Sequence, residues 1–176
     1  MANSAENVFV AGGNGAIAHA PLATTLPEAF DDALDNAFVA VGYISEDGVT
    51  EKQNRETKQI KAWQNGDVVR TVQTGHSLIY EFTMIERNEE TLAMFYGATD
   101  PDAIEVSGAV LGHEAFVIEA LDGSGIVRIV IPDGQITDTK EVAYKASDPA
   151  MFGVTIECYP DDDGVKSYIY SGTELS

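Results

Sequence analysis

A chain of 176 residues is the size of one domain, and a domain of that length buries about 70% of the surface its unfolded chain exposes. Its 29 acidic side chains against 10 basic ones give a formal charge of −19, which argues against binding nucleic acid by phosphate neutralisation or adhering to an anionic membrane. A single cysteine, Cys158, excludes an internal disulfide, and no apolar run has the length of a membrane span.

The first residues lack the charged and apolar regions of a signal peptide, so the chain is expected to be made and kept in a cytoplasm until assembly. Residues 8–11 and 16–20 flank Gly12-Gly13-Asn14-Gly15, a glycine-rich turn expected to make an N-terminal hairpin or arm over about residues 1–27. A phosphate cradle would need a helix next. Instead Ala16-Ile17-Ala18-His19 is strand-like and ends at Pro21. Residues 21–27 read as extended, residues 28–34 as a short helix opened by Pro27, and residues 38–44 as strand.

Residues 45–60 are expected to be a protruding loop. Lys52, Arg55, Lys58 and Lys61 place four of the ten basic residues here at a spacing of three. Either these charges only solvate a loop or hairpin, or the loop docks on the acidic surface of a neighbouring copy.

Residues 60–97 are the most informative stretch. Asn65-Gly66 is a strong two-residue hairpin signal because both residues tolerate positive φ, with Trp63 ending one strand and Val68, Val69 and Val72 continuing the other. Leu78, Tyr80, Phe82 and Met84 then form one wholly apolar face, and Ile79, Glu81, Thr83 and Ile85 a mixed one. At Asn88 the period changes. Asn88 is an N-cap, Glu89 and Glu90 suit the positive end of the helix dipole, and Gly97 stops the helix. Leu92, Phe95 and Tyr96 are expected to pack this two-turn helix on a sheet, since it is marginal alone.

Beyond Gly97 the pattern is β throughout. Residues 103–110, 114–121, 126–131, 136–145, 153–159 and 165–170 read as short strands separated by turn chemistry such as Pro132-Asp133-Gly134 and Asp161-Asp162-Asp163-Gly164. Even spacing without strand–helix alternation implies a mostly β, two-sheet antiparallel sandwich or barrel flanked by one short helix.

Chemistry is hard to find. His19, His76 and His113 share no short spacing of a metal motif, and the run Asp161 to Gly164 lacks the alternating ligands and closing glutamate of a calcium loop. No Gly-x-Ser-x-Gly elbow occurs, and Cys158 has no recognisable partner. No catalytic residue, metal or cofactor is expected.

Two strings carry a resemblance: Lys61-Ala62-Trp63-Gln64-Asn65-Gly66, and Ile85-Glu86-Arg87-Asn88-Glu89-Glu90-Thr91. Together with residues 21–27 and 41–49, they resemble the major tail protein, or tail tube protein, of long, flexible-tailed bacteriophages. The likeness is strongest over residues 8–97. It implies a fold related to the type VI secretion tube protein, hexameric rings stacked into a hollow tail, and ejection of phage DNA through the lumen without specific binding. Other partners it implies are the tape-measure, tail terminator and tail-tip proteins. Glu46, Asp47, Lys52, Arg55 and Lys58 are the candidate residues of an inter-ring stacking loop, and Glu81, Glu119 and Glu141 the candidate lumen-facing acids. Two rivals share parts of this composition. One is another virion β-sandwich, such as a capsid decoration or tail-tip subunit; the other is a ligand-binding or enzymatic β-barrel.

Overall fold

The apolar alternation from Leu78 to Met84 is the inner half of the strand around which the chain packs. A computed structural model describes residues 9–11, 14–98, 100, 102–123 and 125–173. Its elements are β1 (Asn14–Pro21), β2 (Val39–Ala40), β3 (Ile44–Lys61), β4 (Val68–Met84), α1 (Glu89–Tyr96), β5 (His113–Asp122), β6 (Gly125–Thr139), β7 (Phe152–Tyr159) and β8 (Tyr168–Thr173). The strands pair in the order β2-β1-β5-β6-β7-β4-β3, every pair antiparallel, with β8 joined to β6 off that path.

The expected mostly β, antiparallel architecture with one short helix is present, but its two layers are halves of one continuous sheet. The hinge is β6. Its first half pairs with β5 and β8, its second half with β7. Residues 132–134, expected as a turn between two strands, lie inside β6 instead. Two residues, Pro132 and Asp133, stand opposite Ala115 alone, so the irregularity is a bulge. Proline fits because β8 pairing has ended at Val130 and β7 pairing starts at Asp133, leaving no partner that needs its missing N–H. Gly134 is required next door. A Cβ there would lie 2.8 Å from the Phe116 ring and 2.9 Å from Ile156.

The core lies between the layers. Tyr80, Phe82 and Met84 of β4 meet Phe152, Val154 and Ile156 of β7, Phe116 and Ile118 of β5, Ile131 of β6 and Ile17 of β1. As predicted, Leu78, Tyr80, Phe82 and Met84 are all buried. Helix α1 caps one end of this core. Asn88 Oδ1 accepts from the Thr91 N–H at 2.8 Å, Asn88 Nδ2 donates to the Val41 carbonyl at 3.0 Å, and Gly97 adopts φ 68°.

Several expectations need correction. Residues 14–21 are not part of a free arm or an N-terminal hairpin but an inner strand between β2 and β5, because Ile17 and Ala20 have a core to fill. Gly12, Gly13 and residues 1–8 lie outside the described residues. Residues 28–34 form a turn, not a helix: Asp32 Oδ2 takes the Glu28 N–H at 2.8 Å, and Arg128 Nη1 draws the Ala29 and Asp32 carbonyls at 2.9 and 2.7 Å. Those carbonyls are lost to a helical ladder. Residues 102–112 hold no strand, and the strand expected over 136–145 stops at Thr139.

Candidate assembly surface

Strand β4 pairs with β7 only from Ile79 to Met84, whereas β3 follows it from Met84 to Val68. The outer parts of β3 and β4 therefore form a two-stranded ribbon with no third strand among the described residues. Residues 50–61 of β3 are all exposed. Residues 45–60, expected as a loop, are mostly this strand. The turn falls where the sequence announces it but is longer than the two residues expected: Ala62 N–H donates to the Asp67 carbonyl at 2.7 Å, Trp63 lies inside the turn rather than at a strand end, and Asn65 and Gly66 take φ of 61° and 70°. A lone two-stranded ribbon is marginally stable in water, so this one is suited to gaining partners.

The five candidate stacking residues are not brought together. Glu46 and Asp47 sit in an irregular excursion between the paired residues Ile44 and Val49, at the root of the ribbon. Lys52 Nζ is tied to Glu81 Oε1 at 2.6 Å. Arg55 and Lys58 lie further out, and Lys58 is on the order of 40 Å of extended chain from Glu46. The pleat also divides the basic residues, with Lys52 and Lys58 on one face and Arg55 and Lys61 on the other.

Of the three candidate lumen acids, two are already paired. Glu81 meets Lys52 and, at 3.7 Å, Lys140, and the Lys52 bond holds its carboxyl below the usual range. Glu119 Oε1 accepts from Arg128 Nη2 at 2.7 Å and from Nε at 2.8 Å. Glu141 is exposed, beyond the end of β6. Leu92 is buried, but Met94 is the other buried apolar residue of α1, while Phe95 and Tyr96 are half-buried and stack edge-on to Phe152 at 5.4 and 6.4 Å.

Sequence reading missed the ribbon's tip. Trp63 is 99% exposed, and Ile60, Val68 and Val69 stand exposed beside it, an apolar end on a charged arm. The available signal was a tryptophan inside an Asn-Gly hairpin, where no core is within reach. It also missed His19, buried between two carboxylates: its Nδ1 lies 2.8 Å from Glu114 Oε2 and its Nε2 2.9 Å from Glu90 Oε2. Burial disfavours the imidazolium, but Glu114 and then Glu90 outweigh it and hold the ring above its ordinary value of 6.5. Burial pushes the Cys158 thiol up to about 12, which makes it a poor nucleophile.

Among the described residues no group of three His, Cys, Asp or Glu side chains is arranged to hold a metal ion, and no helix is long and apolar enough to cross a membrane. A continuous antiparallel sheet, open strand edges and an apolar-tipped ribbon are the features this surface presents among the described residues. The sequence matches the phage tail tube protein family over residues 1–172, and the chain belongs to that family. It is a structural component of the virion rather than an enzyme. No curated protein sequence matches. Among solved structures, the tube-terminating cap of the anti-feeding prophage shares the fold with a TM-score of 0.54 at 9% identity, over 97% of this chain and 97% of that one. Chains of the sheath–tube complex and the sheath/tube terminator of an extracellular contractile injection system, both in the extended state, are also similar. Their TM-scores are 0.46 and 0.49 at 8% and 10% identity, over 98% and 94% of this chain and 100% and 99% of theirs.

Proposed function

We propose that the protein is the major tail tube subunit of a long, flexible-tailed phage, that six copies close into a ring, and that stacked rings make the hollow tail through which the genome leaves. The observation that carries this reading is the β3–β4 ribbon, a long exposed arm with no third strand among the described residues, which contact with another copy would cover. Ring closure has its own support. Among the described residues strands β2, β3 and β8 each pair on one side only, and joining subunits edge to edge removes such edges. The charge of −19 suits a wall that duplex DNA passes without binding, since phosphate binding is driven by lysine and arginine. Of the three candidate acids Glu141 fits that wall best, being exposed and free of an ion pair among the described residues. The lumen would hold the tape-measure protein before DNA, and terminator and tail-tip proteins would close the ends.

Negative-stain electron microscopy of concentrated protein, with mass measurement of a dilute sample, tests the reading. Hollow tubes or six-fold rings are expected. A closed trimer would overturn it in favour of a decoration or tail-tip subunit.

A further inference from the structure

We infer that the ribbon tip of one copy seats in a groove on the next copy, between the C-terminal end of α1, residues 102–112 and the second half of β6; this rests on the self-assembly reading above. The groove encloses about 550 Å³. Phe95, Tyr96, Leu111 and Ile136 contribute to its lining, as do Val106 and Val110, which are 75% and 84% exposed in the lone chain. Residues 102–112 form no regular structure, yet they are moored at one end, where Gln135 Nε2 donates to the Leu111 carbonyl at 2.8 Å. The result is an apolar trough with a wall left open to solvent in the single chain.

Its occupant is argued from two complementarities. The first is polarity: the tip offers Trp63, Val69 and Ile60, all exposed large apolar side chains, so the chain's own groove does not receive them. The second is charge. Residues 51–78 hold five of the ten basic and three of the 29 acidic side chains, so the ribbon carries +2 while the rest of the chain carries −21. Lys58, Lys61 and Arg70 stand just behind the tip. Asp138 of β6 lines the trough, and the segment that walls it carries two further exposed acids, Asp102 and Glu105. An apolar tip on a net-basic ribbon thus matches a largely apolar trough with Asp138 in its lining on a net-acidic body, and both belong to this sequence. Because donor and acceptor are different patches of one molecule, the contact is heterologous and repeats from copy to copy. A tryptophan anchor in a desolvated pocket is the usual kind of dominant interface residue.

Trp63 is the only tryptophan, which makes it a direct reporter. The test compares its emission and acrylamide quenching in dilute monomer and in assembled protein. It also mixes Gln64→Cys and Val110→Cys chains under mild oxidation; both positions are exposed and Trp63 is retained, so neither change disturbs the core or removes the anchor. Assembly is expected to shift the emission to shorter wavelength, to cut quenching at least about threefold, and to give a mixed disulfide between the two variant chains. Trp63→Ala is expected to lower the assembled fraction about tenfold or more while leaving Tm unchanged. Tubes or rings in which Trp63 stays fully quenchable overturn this docking alone. So does a shielded Trp63 with no disulfide between the two variant chains, since the tip then lies elsewhere. A chain that stays monomeric at every concentration overturns the self-assembly reading, and the docking falls with it.

Discussion

At the scale of single residues, His19 joins three elements. Its ring, on β1, faces Glu114 of β5 and Glu90 of α1, and it can donate to both only as an imidazolium. With its folded pKa held above the unfolded value of about 6.5, the protonated ring contributes stability that is fully present below that pH and is lost as pH rises through the folded pKa. Loss of this clamp is expected to cost about 1 kcal/mol, which for a chain of this size moves Tm about 2 to 4 °C. Thermal unfolding from pH 5.5 to 9 should therefore show a decline in the native chain that is absent from His19→Gln; equal slopes would mean that His19 clamps nothing. Gly134 makes a second prediction. Adding a methyl group against Phe116 and Ile156 in Gly134→Ala overpacks the bulge and should destabilise by about 1 to 3 kcal/mol in denaturant unfolding. An unchanged midpoint would mean that Phe116 moves aside freely.

At the scale of elements, α1 is held by side chains of unequal burial. Leu92 is 1% exposed, whereas Phe95 lies at the rim of the core beside Tyr96 and Phe152. Leu92→Ala is expected to cost about 3 kcal/mol and Phe95→Ala about 2, because a half-buried ring forfeits less than a buried side chain. Chemical unfolding of both variants gives the order, and the reverse order would place Phe95, not Leu92, at the centre of the contact. This helix was legible in the sequence because its caps are local: Asn88 and Gly97 act on backbone groups within a turn of themselves. The Asn65-Gly66 turn was legible for the same reason, and so was β4, whose alternation comes from having one face on the core. The illegible parts depend on distant partners. The segment 28–34 reads as helical until Arg128, nearly a hundred residues later, takes its carbonyls. Pro132 and Gly134 read as a turn until the register opposite Ala115 shows a bulge. The arm of β3 reads as a loop because a ribbon exposed on both faces has no apolar alternation to display. The five candidate stacking residues depend on that loop, and the apolar tip stays hidden in the sequence because Trp63 fits the end of a strand.

At the scale of the whole molecule, the chain divides into a packed body and an arm that adds nothing to the body's core. The core residues come from β1, β4, β5, β6, β7, α1 and Val41, and none lies between Gln53 and Ser77. Removing the outer ribbon should then leave folding intact while abolishing stacking. Sheet edges would still be open in such a chain, so rings and stacks are separable outcomes. The decisive experiment replaces residues 56–75 with Asn-Gly, closing a two-residue turn across the Arg55–His76 pair, and compares the shortened and full chains by sedimentation and electron microscopy. The two chains are expected to share the same Tm within about 2 °C, with long tubes from the full chain and nothing larger than single rings from the shortened one. Tubes of normal length from the shortened chain would contradict this, because stacking would then be carried by the body and the ribbon would have no part in building the tail.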